Sequence, residues 1–246
     1  MIILGLDTAT PTASVALVED AKLIAEEFYH KSKRPEADFP AHARGNHAEI
    51  VLPLIQSILD RAHISLKSLS GLAVSIGPGA FTGLRIALAT VKGIAYDWRL
   101  PVVGVSTLHA NAARVRDYEG VIGSLLDARK REVYAAIFLR QGQTLTSLSE
   151  ERVCSIDSAI ESLRDLGAAN PVVIGDGAKA YEPLLVQAFG AAVRISAGDE
   201  FGSVAAEVAA LSWRRFAQHG SDDLASLAPV YLRSSEAENK RAAQIN

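Results

Sequence analysis

Residues Ile2 to Val18 have the sequence IILGLDTATPTASVALV: a short apolar strand that ends in Asp7, a polar turn, and a second apolar strand. A third strand-like run extends from Lys22 to Tyr29. The next elements, in order, are a helix at Asn46 to Ala62, a strand at Gly71 to Ile76, a Gly-Pro-Gly-Ala turn and a helix at Thr82 to Trp98. The alternation of strand and helix periodicities predicts a βββαβα unit.

The same order of elements occurs again between Gly120 and Phe189. Its elements are strands at Gly120–Asp127, Glu132–Leu139 and Thr144–Leu148, a helix at Ser155–Leu166, a strand at Pro171–Gly175, a Gly-Asp-Gly-Ala turn and a helix that ends near Phe189. The repeat is one of pattern, since few residues are identical between the copies. We therefore expect an α/β protein with duplicated βββαβα units. The predicted lobes are residues 1–105, completed by residues 221–246, and a smaller lobe of residues 106–220.

Two further segments lie outside the repeated pattern. Lys31 to Gly45 is polar, contains two prolines and has no counterpart in the second copy, so we expect a loop. Ser203 to Gly220 has the pattern of an amphipathic helix that ends in glycine.

The composition is typical of a globular protein, with 49% apolar and 22% charged residues among 246. The net charge of −3 argues against a surface that holds nucleic acid by itself, because phosphate binding requires clustered lysine and arginine. Cys154 is the only cysteine, which excludes an internal disulfide and a multi-cysteine zinc site. No stretch has the pattern of a signal peptide or membrane span, so we expect a cytoplasmic protein.

Some residues have the chemistry of a nucleotide site. The turn after the first strand offers a carboxylate for magnesium and hydroxyl groups for phosphate, and each glycine turn can bring amides close to an anion. The alternatives are an ordinary turn, which the first turn alone favours, and glycine loops that pack helix against strand. For the glycine loops both interpretations stay open, with Thr82 placed to cap the first of the following helices. The candidate residues are Asp7, Thr8, Gly77, Gly79, Gly175 and Gly177.

The segment GPGAFTGLR, Gly77 to Arg85, closely resembles the GPGSFTGLR signature of the TsaB family. Members of that family are the dimerisation subunit of the bacterial complex that makes threonylcarbamoyladenosine in tRNA. The departure is Ala80, where the family usually has serine. Further similar segments follow the family's order: ILGLDTATPTASVAL (Ile3–Leu17), NHAEIVLPLI (Asn46–Ile55), VVGVSTLHANA (Val102–Ala112), LLDARKREVYAAIF (Leu125–Phe138), IGDGA (Ile174–Ala178) and PVYLR (Pro229–Arg233).

The resemblance implies a two-lobed actin-like ATPase fold of the ribonuclease-H-like class. It also implies a catalytic paralogue, TsaD, that carries a His-x-x-x-His metal pair after a strand and Gly-Val. Thr107 and Asn111 stand at those positions here, and neither is a good transition-metal ligand. The implied protein is a scaffold with no certain cofactor of its own; ATP or ADP with magnesium are candidates at the level of the complex. The implied partners are TsaD, the ATPase subunit TsaE and, through the complex only, tRNA.

The two long helices of the first unit have wide apolar surfaces. Asn46 is a candidate N-cap with Glu49 three residues on, and the apolar residues of that helix cover an arc of about 200°. The second helix has a stripe spaced like the seam of a helix pair, with Ala89 and Gly93 on its other side. Burial of both helices within the lobe is the alternative. The resemblance favours a surface that pairs with the paralogue, or with a second copy when the paralogue is absent. The predicted interface residues are Ile50, Val51, Leu54, Ile55, Ile58, Leu84, Leu88, Val91 and Ala95.

Two other functions compete with the scaffold. A small actin-like ATPase or phosphotransferase acting alone would use the turns around Asp7 and the glycine pairs, but the chain offers no persuasive base or adenine pocket in its second half. A metal-dependent peptidase is a poor match, because the candidate metal ligands are missing. ATP turnover by the isolated protein would separate the first alternative from the scaffold.

Overall fold

The structure, a computed structural model, describes residues 1–30, 47–196, 198 and 203–233. The Lys31 to Gly45 insertion and the candidate N-cap Asn46 therefore lie outside the described residues. Among the described helices, none is long and apolar enough to cross a membrane. The elements of the first unit and its extension are β1 (Ile2–Asp7), β2 (Thr12–Glu19), β3 (Lys22–His30), α1 (His47–Ala62), β4 (Gly71–Gly77), α2 (Phe81–Trp98), β5 (Val102–Ser106) and α3 (Thr107–Arg114).

The second unit repeats this order with one extra strand and a divided helix. Its elements are β6 (Gly120–Arg129), β7 (Glu132–Gln141), β8 (Thr144–Ser147), β9 (Arg152–Ser155), α4 (Ile156–Asp165), β10 (Val172–Ile174), α5 (Asp176–Ala180), α6 (Glu182–Phe189), β11 (Arg194–Ser196) and α7 (Val204–Ala217). The single predicted helix is divided at Tyr181. Pro183 accounts for the break, because proline lacks the amide that a continuing helix needs and fits only its first turn.

The two sheets have the same strand order, which confirms the predicted α/β duplication. The first sheet is ordered β3-β2-β1-β4-β5, and the second is β8-β7-β6-β10-β11, with β9 paired to β7. In each sheet the first three strands are antiparallel, and the later two join in parallel. The architecture is the two-lobed actin-like fold.

Helices α1 and α2 cover one face of the first sheet with their apolar residues. Leu54 and Ile58 are fully buried against sheet residues such as Leu4, Val15 and Leu72. The predicted interface list is therefore wrong, because these side chains form the core of the lobe. The nine residues are between 0% and 6% exposed: Ile50, Val51, Leu54, Ile55, Ile58, Leu84, Leu88, Val91 and Ala95.

The opposite face of the first sheet is covered by a helix from the second half of the chain. Val208 and Phe216 of α7 pack with Ile3 and Val103. Helix α7 was assigned to the second lobe from the sequence, but it belongs by packing to the first. Helix α3 packs where the prediction put it, since Leu108 lies in the core of the second lobe.

The C-terminal segment connects the lobes. The Val230 amide donates to the Ile76 carbonyl at 2.7 Å, and the Tyr231 ring stacks on Phe81 with centroids 3.9 Å apart. Arg233 then reaches the second lobe, where its Nη1 donates to the Ala128 carbonyl at 2.9 Å. The described end of the chain thus spans both lobes.

The start of α2 differs from the prediction. Ala80, and not Thr82, is the N-cap residue, and no side chain caps the helix. Thr82 lies two positions beyond the cap, inside the first turn, so its hydroxyl cannot serve as the cap.

Substitutions on the two faces of α1 should have different effects on the free energy of unfolding. Leu54 is fully buried and Leu52 is 58% exposed, although both belong to the same apolar run. Leu54→Ala should reduce the free energy of unfolding by about 2–5 kcal/mol, because it leaves a cavity against the sheet. The matched change Leu52→Ala should alter it by no more than about 0.5 kcal/mol. Urea denaturation of monomeric protein measures both, and equal losses would contradict the assignment of the buried face.

Candidate functional site

A cleft between the two lobes encloses a cavity of about 250 Å³. The turn after β1, helix α3, the turn after β10 and the start of α7 all contribute to its wall. Its polar lining includes Asp7, Ser14, Asn111, Arg114, Asp176 and Ser203. These residues lie far apart in the sequence, and the fold brings them together because α3 and α7 both pack where the lobes meet.

Asp7 is the most deeply buried charged group of this cleft, at 1% exposure. Its Oδ1 accepts a hydrogen bond from the Ala9 amide at 3.3 Å, while its Oδ2 accepts none from the described residues; the neighbouring Ser75 hydroxyl, which also makes no hydrogen bond with them, only lowers the pKa of Asp7. Burial raises the pKa of Asp7 from 3.8 to about 6, against the opposing effects of the Ser75 hydroxyl, the Ala9 amide and the Arg114 charge. The carboxyl group is therefore an acceptor that is short of partners.

Helix α3 brings donors to the same cavity. Arg114 Nη1 donates to Asn111 Oδ1 at 3.0 Å, which fixes the orientation of the Asn111 amide. Asn111 Nδ2 then has no acceptor among the described residues, and the side chain is 2% exposed. Arg114 also donates to the Gly198 carbonyl. Thr107, the other residue at a metal-ligand position of the paralogue, is buried and does not line the cavity.

The second lobe contributes an acid. Asp176, at the start of α5, accepts a hydrogen bond on Oδ1 from the Asp127 amide at 3.0 Å. Burial raises the pKa of Asp176, and the neighbouring Asp127 charge raises it further. Sequence reasoning missed Asp176 and Arg114 as cleft residues. The Gly-Asp-Gly-Ala turn was a usable signal for Asp176, but no local pattern marks Arg114.

Only Asp7 and Gly175 of the six candidate nucleotide residues line the cavity. Thr8 is fully buried and its hydroxyl donates to the Gly83 carbonyl at 2.7 Å. A Cβ on Gly79 would approach the Ala9 carbonyl oxygen to 2.5 Å, so this turn packs directly on the first turn. Thr8 and Gly79 thus have packing roles and do not line the cavity, so this geometry does not support a phosphate site at these two residues.

The remaining candidate glycines also have packing roles. Gly77 and Gly175 both have φ of +115°, which side chains rarely tolerate. A Cβ on Gly77 would lie 2.6 Å from the Val230 carbonyl oxygen, and one on Gly177 would lie 2.8 Å from the Leu126 carbonyl carbon. Gly77 and Gly177 also do not line the cavity, and their contribution to a nucleotide site stays a prediction.

A second candidate site is the outer face of α1 and α2, which we call the outer helix face. It carries the exposed residues Leu52, Ala89, Gly93 and Tyr96. Tyr96 is 82% exposed, and a Cβ added to Gly93 would meet nothing within 4 Å. Small residues beside exposed large apolar ones allow another helix to approach closely, so this face has the form of a helix-packing surface.

The buried carboxyl of Asp7 predicts a specific pH dependence. The folded protein holds the Asp7 proton more tightly than the unfolded chain, so stability from this group is present below about pH 4 and lost as pH rises through about 6. The rise from 3.8 to about 6 corresponds to roughly 3 kcal/mol. Asp7→Asn keeps the acceptor for the Ala9 amide, and its stability relative to wild type should increase by about that amount between pH 4 and pH 7.

Asp20 provides the control, because the N-terminal ammonium group lowers its pKa. The stability that this lowered pKa provides is already present above about pH 3.8 and is lost only at lower pH, so Asp20→Asn should differ from wild type by a nearly constant amount between pH 4 and pH 7. Denaturant unfolding at several pH values measures both differences. A pH-independent difference for Asp7→Asn would contradict the burial of a strained carboxyl in the cleft.

The sequence is similar to proteins of tRNA threonylcarbamoyladenosine biosynthesis. A family model described as tRNA N6-adenosine threonylcarbamoyltransferase, TsaD, matches residues 23–241. The TsaB biosynthesis protein of Escherichia coli is 32% identical over 243 residues, covering 98% of each chain. The TsaB protein of Bacillus subtilis is 27% identical, covering 98% of this chain and 97% of its own.

A solved structure has the same two-lobed form. It is a Pseudomonas aeruginosa protein described as similar to peptidase YeaZ, with a TM-score of 0.72 and 26% identity over 94% of this chain and 99% of its own. The match to the TsaB proteins extends over almost the entire length on both sides. The chain belongs to the TsaB family, within the broader group that the threonylcarbamoyltransferase model describes.

Proposed function

We propose that this chain is the non-catalytic partner subunit in the synthesis of threonylcarbamoyladenosine in tRNA. In this role it pairs with the catalytic paralogue TsaD, which transfers threonylcarbamoyl to N6 of the adenosine 3′ to the anticodon in tRNAs that read ANN codons. The ATPase subunit TsaE completes the complex, and tRNA is bound through the complex only. The net charge of −3 agrees with indirect contact to tRNA.

The observation that carries this proposal is the pair of residues at the start of α3. Thr107 and Asn111 occupy the positions of the paralogue's metal-binding histidines, and both are buried. Arg114 donates a hydrogen bond to the Oδ1 atom of Asn111, so the side-chain oxygen is already engaged. The remaining Asn111 NH2 group is a donor and has no lone pair suited to bind a transition metal. Among the described residues there is no group of three or more side chains suited to hold a metal ion. The chain keeps the fold of the paralogue but has Thr107 and Asn111 in place of its two metal-binding histidines, and this combination supports a role as a non-catalytic scaffold subunit.

The outer helix face supplies the pairing surface in this proposal. The corrected interface residues are Leu52, Ala89, Gly93 and Tyr96, which lie opposite the side chains that pack on the sheet. A paralogue of the same fold has two equivalent helices, so two pairs of helices can pack across small residues. The same self-complementary face supports a homodimer when the paralogue is absent.

The competing functions rest on different parts of the molecule. A lone ATPase or phosphotransferase needs phosphate loops that open to the cleft, but Gly77, Gly79 and Gly177 pack on backbone instead. A peptidase is suggested by the name of the Pseudomonas protein. Both activities are measurable on the isolated chain with ATP and with a peptide library.

The isolated chain should hold no stoichiometric metal and should not modify tRNA, hydrolyse ATP or cleave peptides. The reason is the pair Thr107 and Asn111 at the ligand positions. Metal analysis of protein purified without chelator, together with the three activity assays, tests this expectation. One tightly bound zinc or iron ion per chain would contradict the proposal.

A charge placed on the outer helix face should abolish pairing without unfolding the chain. Leu52→Arg and Gly93→Arg introduce side chains that the exposed positions accommodate in the monomer, whereas burial of the unpaired charge at an interface costs several kcal/mol. Sedimentation with and without the paralogue measures association, and circular dichroism measures folding.

Gly93→Ala is the matched control, since one methyl group in open space should preserve pairing and improve the helix by about 0.5–1 kcal/mol. Val91→Arg serves as the opposite control: Val91 is 2% exposed, so this change should unfold the lobe itself. Undiminished association of folded Leu52→Arg and Gly93→Arg proteins would place the interface elsewhere.

A further inference from the structure

The cleft contains one acceptor and one donor that make no hydrogen bond with the described residues. Asp7 Oδ2 is an acceptor and Asn111 Nδ2 is a donor; each belongs to a side chain no more than 2% exposed, and neither atom has a partner among the described residues. Both residues line the same cavity. Leaving a buried polar group unpaired costs about 1–3 kcal/mol, so a molecule that satisfies both groups is favoured.

The charges around the cavity limit what that molecule can be. Asp7 and Asp176 line it from opposite lobes, and Arg114 lines it from α3. A simple anion would meet two acids, and a simple cation would meet the guanidinium group. The described residues offer no cluster of three metal-ligating side chains that would let a cation offset the acids. A ligand with a positive and a negative group matches this distribution.

The volume of the cavity and its apolar lining residues further restrict the kind of ligand that fits. The cavity of about 250 Å³ lies below the range of roughly 300–1,000 Å³ that is typical of sites for drug-sized ligands. Phe28, Leu126 and Val204 add apolar surface to its wall. Val204 is also the first residue of the 14-residue helix α7, whose N-terminal end favours a negative group.

We propose that the cleft binds a small zwitterion of the α-amino acid class. Its ammonium group binds Asp7 Oδ2, and Asp176 adds negative charge from the other lobe. Its carboxylate accepts from Asn111 Nδ2 and lies near Arg114 and the start of α7. Its side chain contacts Leu126 and Val204. This site lies on the α7 side of the first sheet, away from the outer helix face, and is independent of pairing with the paralogue.

Isothermal titration calorimetry on the isolated full chain tests the site. The probes are glycine, L-valine and its near-isostere L-threonine, each compared with ethylamine, acetate, inorganic phosphate and Mg-ATP. At least one amino acid should bind with a stoichiometry near one and a Kd of about 1 mM or tighter. The single-charge fragments, phosphate and Mg-ATP should bind more weakly than that amino acid.

Two conservative variants locate the binding. Asp7→Asn removes the negative charge, and Asn111→Asp keeps the acceptor for Arg114 while replacing the donor. Each should weaken amino acid binding by about tenfold or more, because each removes a hydrogen bond to a charged group. Asp97→Asn, an exposed change on α2, is the control and should leave binding unchanged.

Three results would overturn the proposal. They are no binding by any amino acid tested, binding that both cleft variants leave intact, and binding of phosphate, Mg-ATP or a single-charge fragment at least as tight as that of every amino acid. Circular dichroism of each variant separates a lost ligand contact from a lost fold. Failure here would leave the pairing proposal untouched, since that is tested by association.

Discussion

The structure depends on backbone packing between the glycine turn before α2 and the turn after β1. The Ala80 amide donates to the Ala9 carbonyl at 2.7 Å, and the Thr8 hydroxyl donates to the Gly83 carbonyl at 2.7 Å. Because glycine at position 79 lets the two turns touch, α2 begins against the sheet and carries its apolar side chains into the core. The orientation of α2 then determines which residues remain on the outer helix face.

The second lobe has an equivalent glycine turn before α5. Gly175 has the same φ as Gly77, and Gly177 packs on the end of β6 as Gly79 packs on the first turn. In both lobes the glycine turn therefore packs directly on neighbouring backbone.

The order of strands and helices was predictable from sequence, because the periods of two and 3.6 residues are local properties. The direction that each helix faces was not. Leu52 and Leu54 belong to one apolar arc of α1, and only packing on the sheet distinguishes the buried leucine from the exposed one. The packing of α7 on the first sheet was also beyond local patterns, and with it the meeting of Asp7, Asn111 and Asp176 in one cleft. The family signature led correctly to the family, whereas local sequence could not show that its glycines pack on the turn after β1 and on the C-terminal segment.

Reconstituted transfer of threonylcarbamoyl to tRNA tests the central claim, that this chain acts as a partner and not as a catalyst. The assay combines the catalytic paralogue, the ATPase subunit and substrate tRNA while this chain is titrated from zero. We expect no transfer without this chain, a rise that saturates at a fixed ratio to the paralogue, and no transfer by this chain without the paralogue. Full activity in the absence of this chain, or activity from this chain alone, would show that it is not an obligatory non-catalytic partner.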